Sequence, residues 1–190
     1  MTSPETEDVI GLLLSQHLQI RDLFTEVAQA RGQDRRDAFG RLVRLLAVHE
    51  TAEEQVVHPL ARRKLDGGGP FVDDRLAEEK QAKELLSRLD SAGPDHEDFL
   101  PLLAVLRASV LLHAHHEEQY EFPYLKHSCD ANELRALAVM VRTAERVAPT
   151  HPHPGVETGV ENLVAGPALA VFDRVKDAVS KALSGSRTSA

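Results

Sequence analysis

The chain of 190 residues has no tryptophan, and aromatic residues make up only 4% of it. Its apolar stretches are built from Leu, Ala and Val, a composition that favours packed helices over sheet. Cysteine is almost as scarce. Cys129 stands alone, which excludes an intramolecular disulfide and a thiolate metal cluster and fits a reducing cytoplasm. Positive charge is also short: 22 basic residues face 30 acidic ones, for a formal net charge of -8. No segment gathers Lys and Arg on one face, so nucleic acid is not an expected partner. The apolar runs are broken by Arg or His well short of a bilayer span, and Met1 to Asp8 is polar and acidic, so neither a membrane span nor an export signal is expected. What remains is 42% hydrophobic, enough for one globular core with a tail to spare.

Helical spacing dominates the first two thirds. Ile10, Leu13, Leu14, His17, Ile20, Phe24 and Val27 form one stripe over 10–30 at a period of about 3.6. Gly32 closes that segment. A second runs from about Asp34 to Lys64, with Leu42, Leu45, Leu46, His49, Glu53, Val56 and Leu60 on one face, and the run Gly67 to Pro70 breaks it. A third spans roughly Val72 to Asp90, ahead of Gly93-Pro94, and a fourth runs from near Asp98 to about Lys126. Short connections between four long helices predict an all-α, antiparallel up-down-up-down four-helix bundle. The tail adds a helix from Asn132 to Val147, a loop with His151 and His153, and an amphipathic piece from Ala168 to Leu183. The expected division is a bundle over 8–127 and an accessory helical segment docked on it over 128–190.

Helices two and four share a phrase. His49-Glu50-Thr51-Ala52-Glu53-Glu54-Gln55 precedes Pro59, and His113-Ala114-His115-His116-Glu117-Glu118-Gln119 precedes Pro123 at the same offset. His and Glu four residues apart lie one above the other on a helix, ~6 Å between Cβ atoms. Two such pairs on facing helices can surround metal ions, with imidazoles as terminal ligands and carboxylates able to bridge. Helices one and three echo each other as well: His17 and Glu79 both sit in the middle of their apolar stripes, ahead of Leu23-Phe24 and Leu85-Leu86. An unpaired buried charge costs several kcal/mol or more. Six titratable groups on four inward faces, His17, His49, Glu53, Glu79, His113 and Glu117, therefore imply a metal.

Other residues have two readings at this stage. Glu79 and Lys83 also form an ordinary helix ion pair, and Glu50 is either a surface residue or a further carboxylate ligand. Tyr120 and Tyr124 continue the inward face of helix four, as core aromatics or, for Tyr120, as a hydroxyl beside a metal. Among neighbouring histidines His113 fits the register of Leu106, Val110 and Glu117 better than His115 or His116, and His58 reads as packing.

The succession of an early His, a HxxxE followed by Pro, a ligand on helix three and a second HxxxE followed by Phe122-Pro123 resembles the HHE cation-binding, or hemerythrin, family over about residues 8 to 127. The resemblance implies a four-helix bundle holding two non-haem irons with an oxo or hydroxo bridge. It also implies a small-molecule partner: dioxygen, peroxide or nitric oxide, bound, sensed or turned over. His151, His153 and the stretch Asp173 to Asp177 resemble the tails of actinobacterial members. One departure matters. Oxygen-carrying members place histidines on helix three, where this chain has Glu79 and Lys83, and Lys is a poor ligand near neutral pH. Two Fe(II) carry +4, and three carboxylates with one hydroxide neutralise them, which favours the ferric state. Redox turnover of peroxide, catalase-like and tied to oxidative stress, then gains over reversible oxygen carriage; the alternative is a sensing module without turnover.

Overall fold

The computed structural model describes residues 7–64, 67–146 and 148. The expected amphipathic piece from Ala168 to Leu183, together with His151 and His153, lies outside the described residues.

Among these residues the secondary structure is helical. Helix α1 (Val9–Gln29) opens on Asp8, whose side chain accepts the Gly11 amide at 2.9 Å, a cap that satisfies one of the free N–H groups of the first turn. After a two-residue connection α2 (Gly32–Ala52) begins, and it passes directly into a π-helical turn, π1 (Glu53–Val57), and α3 (His58–Lys64). Helix α4 (Gly68–Ala92) is followed by α5 (Phe99–His116), a second π turn, π2 (Glu117–Glu121), and α6 (Phe122–Ser128). Gly67 takes a left-handed backbone just ahead of α4, with φ of 74°. The expected break at Gly67 to Pro70 is thus shorter than the sequence suggests, because Pro70 falls in the first turn of α4, where its missing N–H costs nothing. Last comes α7 (Ala131–Glu145), whose Asp130 and Glu133 form a reciprocal capping box.

The two π turns have one cause. Pro59 and Pro123 cannot donate to the carbonyl four residues back, and their rings crowd it. The ladder opens there, and the His58 and Phe122 amides bond instead to the Glu53 and Glu117 carbonyls, five residues back. The repeated Pro of the HxxxEEQ phrase therefore encodes a local widening just below the repeated Glu.

Helix α1 packs along α2, and α4 along α5; α1 also meets α5, α2 meets α4, and α7 lies against α1, α2 and π1. Apolar side chains gather in two clusters. One holds Ile20, Phe24, Leu46, Ala82, Leu86, Phe99, Leu106 and Val110. The other holds Leu13, Ala52, Val56, Leu60, Val72, Phe122 and Leu125, closed by Leu134, Leu137 and Val141 of α7. Helices α1, α2 and α4 and the α5–π2–α6 rod each reach from one cluster to the other, and between the clusters lies a polar layer.

The rod Phe99–Ser128 is the most apolar stretch that bears on the membrane expectation. Its length and a mean hydropathy of 1.3, with 33% of that stretch buried, would suffice for a membrane span. Its inward side nevertheless carries buried His113, Glu117 and Glu121, groups costly in hydrocarbon, and that side packs within the protein.

Candidate metal centre

The polar layer brings together all six inward groups read from the sequence. His17, His49, Glu53 and Glu117 offer donor atoms within 4.8 Å of one another, and so do Glu53, Glu79 and His113. Glu53 belongs to both groups. Glu117 turns Oε2 toward His17 Nε2 at 3.4 Å and Oε1 toward His113 Nε2 at 3.4 Å. Glu53 and Glu117 thus lie between His17 and His49 on one side and Glu79 and His113 on the other. All six are buried.

Buried polar atoms are normally partnered. Here His17 Nε2, His113 Nε2, Glu79 Oε2 and both oxygens of Glu53 and of Glu117 have no hydrogen-bond partner. Their Nδ1 atoms, by contrast, are held: His17 by Glu118 at 2.9 Å, His49 by Gln16 at 2.8 Å and His113 by Glu78 at 3.1 Å. An outer acceptor on Nδ1–H keeps the Nε2 lone pair directed inward, the arrangement that orients imidazole for a metal. The donor set thus fits a pair of hard-to-borderline cations.

These outer contacts repeat across the two halves. Gln16, one residue before His17, holds His49, and Glu78, one residue before Glu79, holds His113. Glu118 pairs with Arg21 at 3.1 Å, one turn after His17, and Glu54 pairs with Lys83, one turn after Glu79. His17 stacks on Phe122 at 5.7 Å between centroids, and the corresponding contact joins Glu79 to His58.

Charge is distributed unevenly. Burial, reinforced by the neighbouring His17, holds His49 down at about 3. Burial and the nearby Glu117 push Glu53 well up. For His113, burial acts downward but Glu117 prevails and raises it well above the usual imidazole value. Burial likewise opposes ionisation of Glu79, yet His58 and His113 hold it near 2. Beside the layer, Glu50 is pushed up to about 8 by burial, opposed by Lys83.

A cavity of about 10 Å³ opens next to His49, Glu50 and His113, walled by Ile20, Leu46, Ala82 and Val110. It admits roughly one water-sized molecule.

The comparisons with known proteins bear on this site. The family model described as the hemerythrin HHE cation binding domain matches residues 8–125. The chain belongs to the hemerythrin HHE family. An uncharacterised hemerythrin-like protein of Schizosaccharomyces pombe is 26% identical over 172 residues, which cover 89% of this chain and 85% of that protein. A protein of Nostoc sp. named a DNA nickase is 24% identical over 140 residues, 73% of this chain but 38% of that protein. The fold is similar to the crystal structure of a hemerythrin HHE cation-binding domain-containing protein from Mycobacterium kansasii, with a TM-score of 0.64 at 16% identity, covering 89% of this chain and 99% of the other. Membership in the HHE family, with the clustered His and Glu donors, implies metal binding.

Several hemerythrin-like positions differ from the sequence reading. Tyr120 and Tyr124 are exposed, at 52% and 59%, because the five-residue step of π2 passes the inward direction from Glu117 to Glu121 and Phe122. Glu50 is buried, not a surface residue, and faces Lys83 at 4.0 Å. Lys83 is buried among Glu54, Glu50 and Glu79, so Glu79 does not turn outward to meet it. His116 is half-buried and bonds Glu78 at 2.9 Å. His58 is more than packing: its Nε2 lies 2.6 Å from Glu79 and its Nδ1 3.2 Å from Glu121. Glu121 was not singled out in the sequence, because the equivalent residue in the first repeat is Val57. The cations Arg21 and Lys83, four residues after His17 and Glu79, were a usable signal for the outer Glu118 and Glu54.

Proposed function

We propose that the chain binds two non-haem irons in an antiparallel up-down-up-down bundle, with His17, His49, Glu53, Glu79, His113 and Glu117 as ligands, and turns over peroxide or dioxygen. The unpartnered inward atoms of His17, His113, Glu53, Glu79 and Glu117, with each imidazole of the set clamped on its outer nitrogen, carry this reading. Short α1–α2 and α4–α5 connections support the topology, and the lone buried Cys129 suits a reducing cytoplasm. Iron, when bound, supplies redox equivalents and Lewis acidity. The protein supplies the rest. Glu53 and Glu117 would span the two positions, Glu79 would add a third inner carboxylate, and the small cavity favours the smallest ligands. Its apolar walls exclude bulk water. Glu50, protonated around neutral pH at the cavity wall, can donate a proton there.

A second reading, sensing without turnover, draws on one contact. Gln16 joins His49 to Glu145 in the last turn of α7, so a change at His49 reaches the start of the C-terminal segment through one side chain. Purified protein tests both. About two irons per chain with oxygen evolved from added peroxide supports turnover; iron without oxygen evolution, with ligand-dependent protease sensitivity of 149–190, supports sensing. No iron binding refutes both.

A further inference from the structure

The halves differ most at one matched pair of positions. In the first, an imidazole, His17, stacks on a phenyl ring, Phe122, at 5.7 Å and an interplanar angle of 17°. In the second, the same two positions hold a carboxylate, Glu79, and an imidazole, His58, joined by a 2.6 Å hydrogen bond. The spacing makes them equivalent: His58 and Phe122 each stand five residues after the Glu of their HxxxE phrase, across a π turn.

We propose that His58 is the positioning residue for Glu79, and that the two form a single exchangeable unit equivalent to Phe122 and His17. The inference rests on the dinuclear reading of the site. An imidazole ligand can be held by packing against an apolar ring plus one acceptor on Nδ1, as His17 is by Phe122 and Glu118. A carboxylate cannot, because a phenyl ring offers no donor and the desolvated charge would be left unpaired on that side. His58 supplies the donor. Its Nε2–H bonds Glu79 Oε1, the oxygen that also lies 3.8 Å from His113 Nε2, and so fixes the carboxylate plane beside the other inward donor of this half; Oε2 is buried without a hydrogen-bond partner. The ring is fixed in turn by Glu121, buried in the same layer, at 3.2 Å from Nδ1. Lys83 does not replace it: it stands 3.7 Å from Glu79 Oε2 and is drawn toward Glu54.

Glu79→His alone would press a new imidazole against His58, and His58→Phe alone would set a carboxylate on a phenyl ring. Together they rebuild the His17–Phe122 arrangement. The test uses full-length protein reconstituted with iron: wild type, H58F, E79H, the double variant E79H/H58F, and H58Q, whose amide keeps a donor. Iron retained under chelator competition, the visible spectrum and the reduction potential are read for each. The expected result is a loss of iron affinity of about 10- to 100-fold in either single variant, the size typical of a lost outer partner. Affinity should recover in the double variant, with a higher reduction potential because one inner negative charge is gone. H58Q should fall between wild type and H58F. Wild-type affinity in H58F, or a double variant whose loss equals the product of the single losses, overturns the proposal. Should H58F or E79H fail to fold, the comparison of H58Q with wild type and the double variant still decides it. Wild type that takes up no iron refutes the dinuclear reading itself, which separates that failure from failure of the pair.

Discussion

The half made of α1 and the α2–π1–α3 rod and the half made of α4 and the α5–π2–α6 rod present the same His–Glu pair at the same spacing but in opposite electrostatic states. In the first, His49 is held neutral and Glu53 is pushed toward its protonated form, each by burial first. In the second, His113 and Glu117 hold each other charged in spite of burial. The outer partners differ accordingly: a neutral amide, Gln16, holds His49, whereas a carboxylate, Glu78, holds His113. A backbone repeat can therefore set positions while the next layer of side chains sets charge. The two halves of the polar layer are therefore inequivalent, although they share the HxxxE phrase.

The harshest way to break the comparison is to remove one imidazole at a time. His49→Ala and His113→Ala each delete a terminal ligand from a different half, so each should cost about one of two irons per chain, measured by elemental analysis. Full occupancy in both variants would refute the ligand assignment. Exchanging the outer partners sharpens it. Glu78→Gln should weaken iron binding by about 10- to 100-fold and raise the reduction potential, since an anionic partner makes the imidazole a stronger donor. Gln16→Glu should lower the potential. Redox titration giving the same direction for both would show that these residues do not tune the site.

Metal-free protein reveals the asymmetry through pH. Burial raises Glu50 from 4.5 to about 8 and Glu54 from 4.5 to about 7, so the folded chain keeps protons that the unfolded chain has released. That stabilisation is complete below about pH 4.5 and is lost as pH rises through 7 and 8. His49 works the other way: depressed from 6.5 to about 3, its contribution is present above 6.5 and is lost as pH falls toward 3. Thermal melts should therefore peak in mildly acidic solution, and Glu50→Gln should flatten the alkaline side. A profile unchanged by that substitution would contradict the burial of Glu50. The smallest effect is expected at Tyr120→Phe. Being exposed, Tyr120 should leave iron content unchanged and stability within about 0.5 kcal/mol, and loss of iron there would mean that the hydroxyl reaches the site.

Much of this arrangement was legible because helical periodicity is strict where packing is simple. The stripes of Leu13 to Val27 and Leu42 to Glu53 mark buried faces, and a titratable residue within such a stripe has to face the interior. The period of 3.6 held from either cluster down to Glu53 and Glu117 and then failed. A π turn advances the face by an extra residue, so extrapolation beyond Glu117 selected Tyr120 and passed over Glu121, and His58 looked like packing. The outer acceptors Gln16 and Glu78 were hidden for a different reason. They reach their histidines from neighbouring helices, and a spacing rule within one helix carries no information about contacts between helices.

The matched π turns also fix the phase of everything beneath them. Each rod leaves the polar layer rotated relative to a straight helix, by about the same amount at the same level, so the lower apolar cluster is cut to that shared offset. Straightening π1 into an α-helical turn without removing a residue would turn α3 by ~100°, taking buried Leu60 and Ala61 out of the register they hold in the lower cluster. The second rod would keep its original phase, and the two would no longer mesh. The insertion that shapes the metal positions is therefore also the tooth on which the lower half of the protein engages, and neither rod can lose it independently.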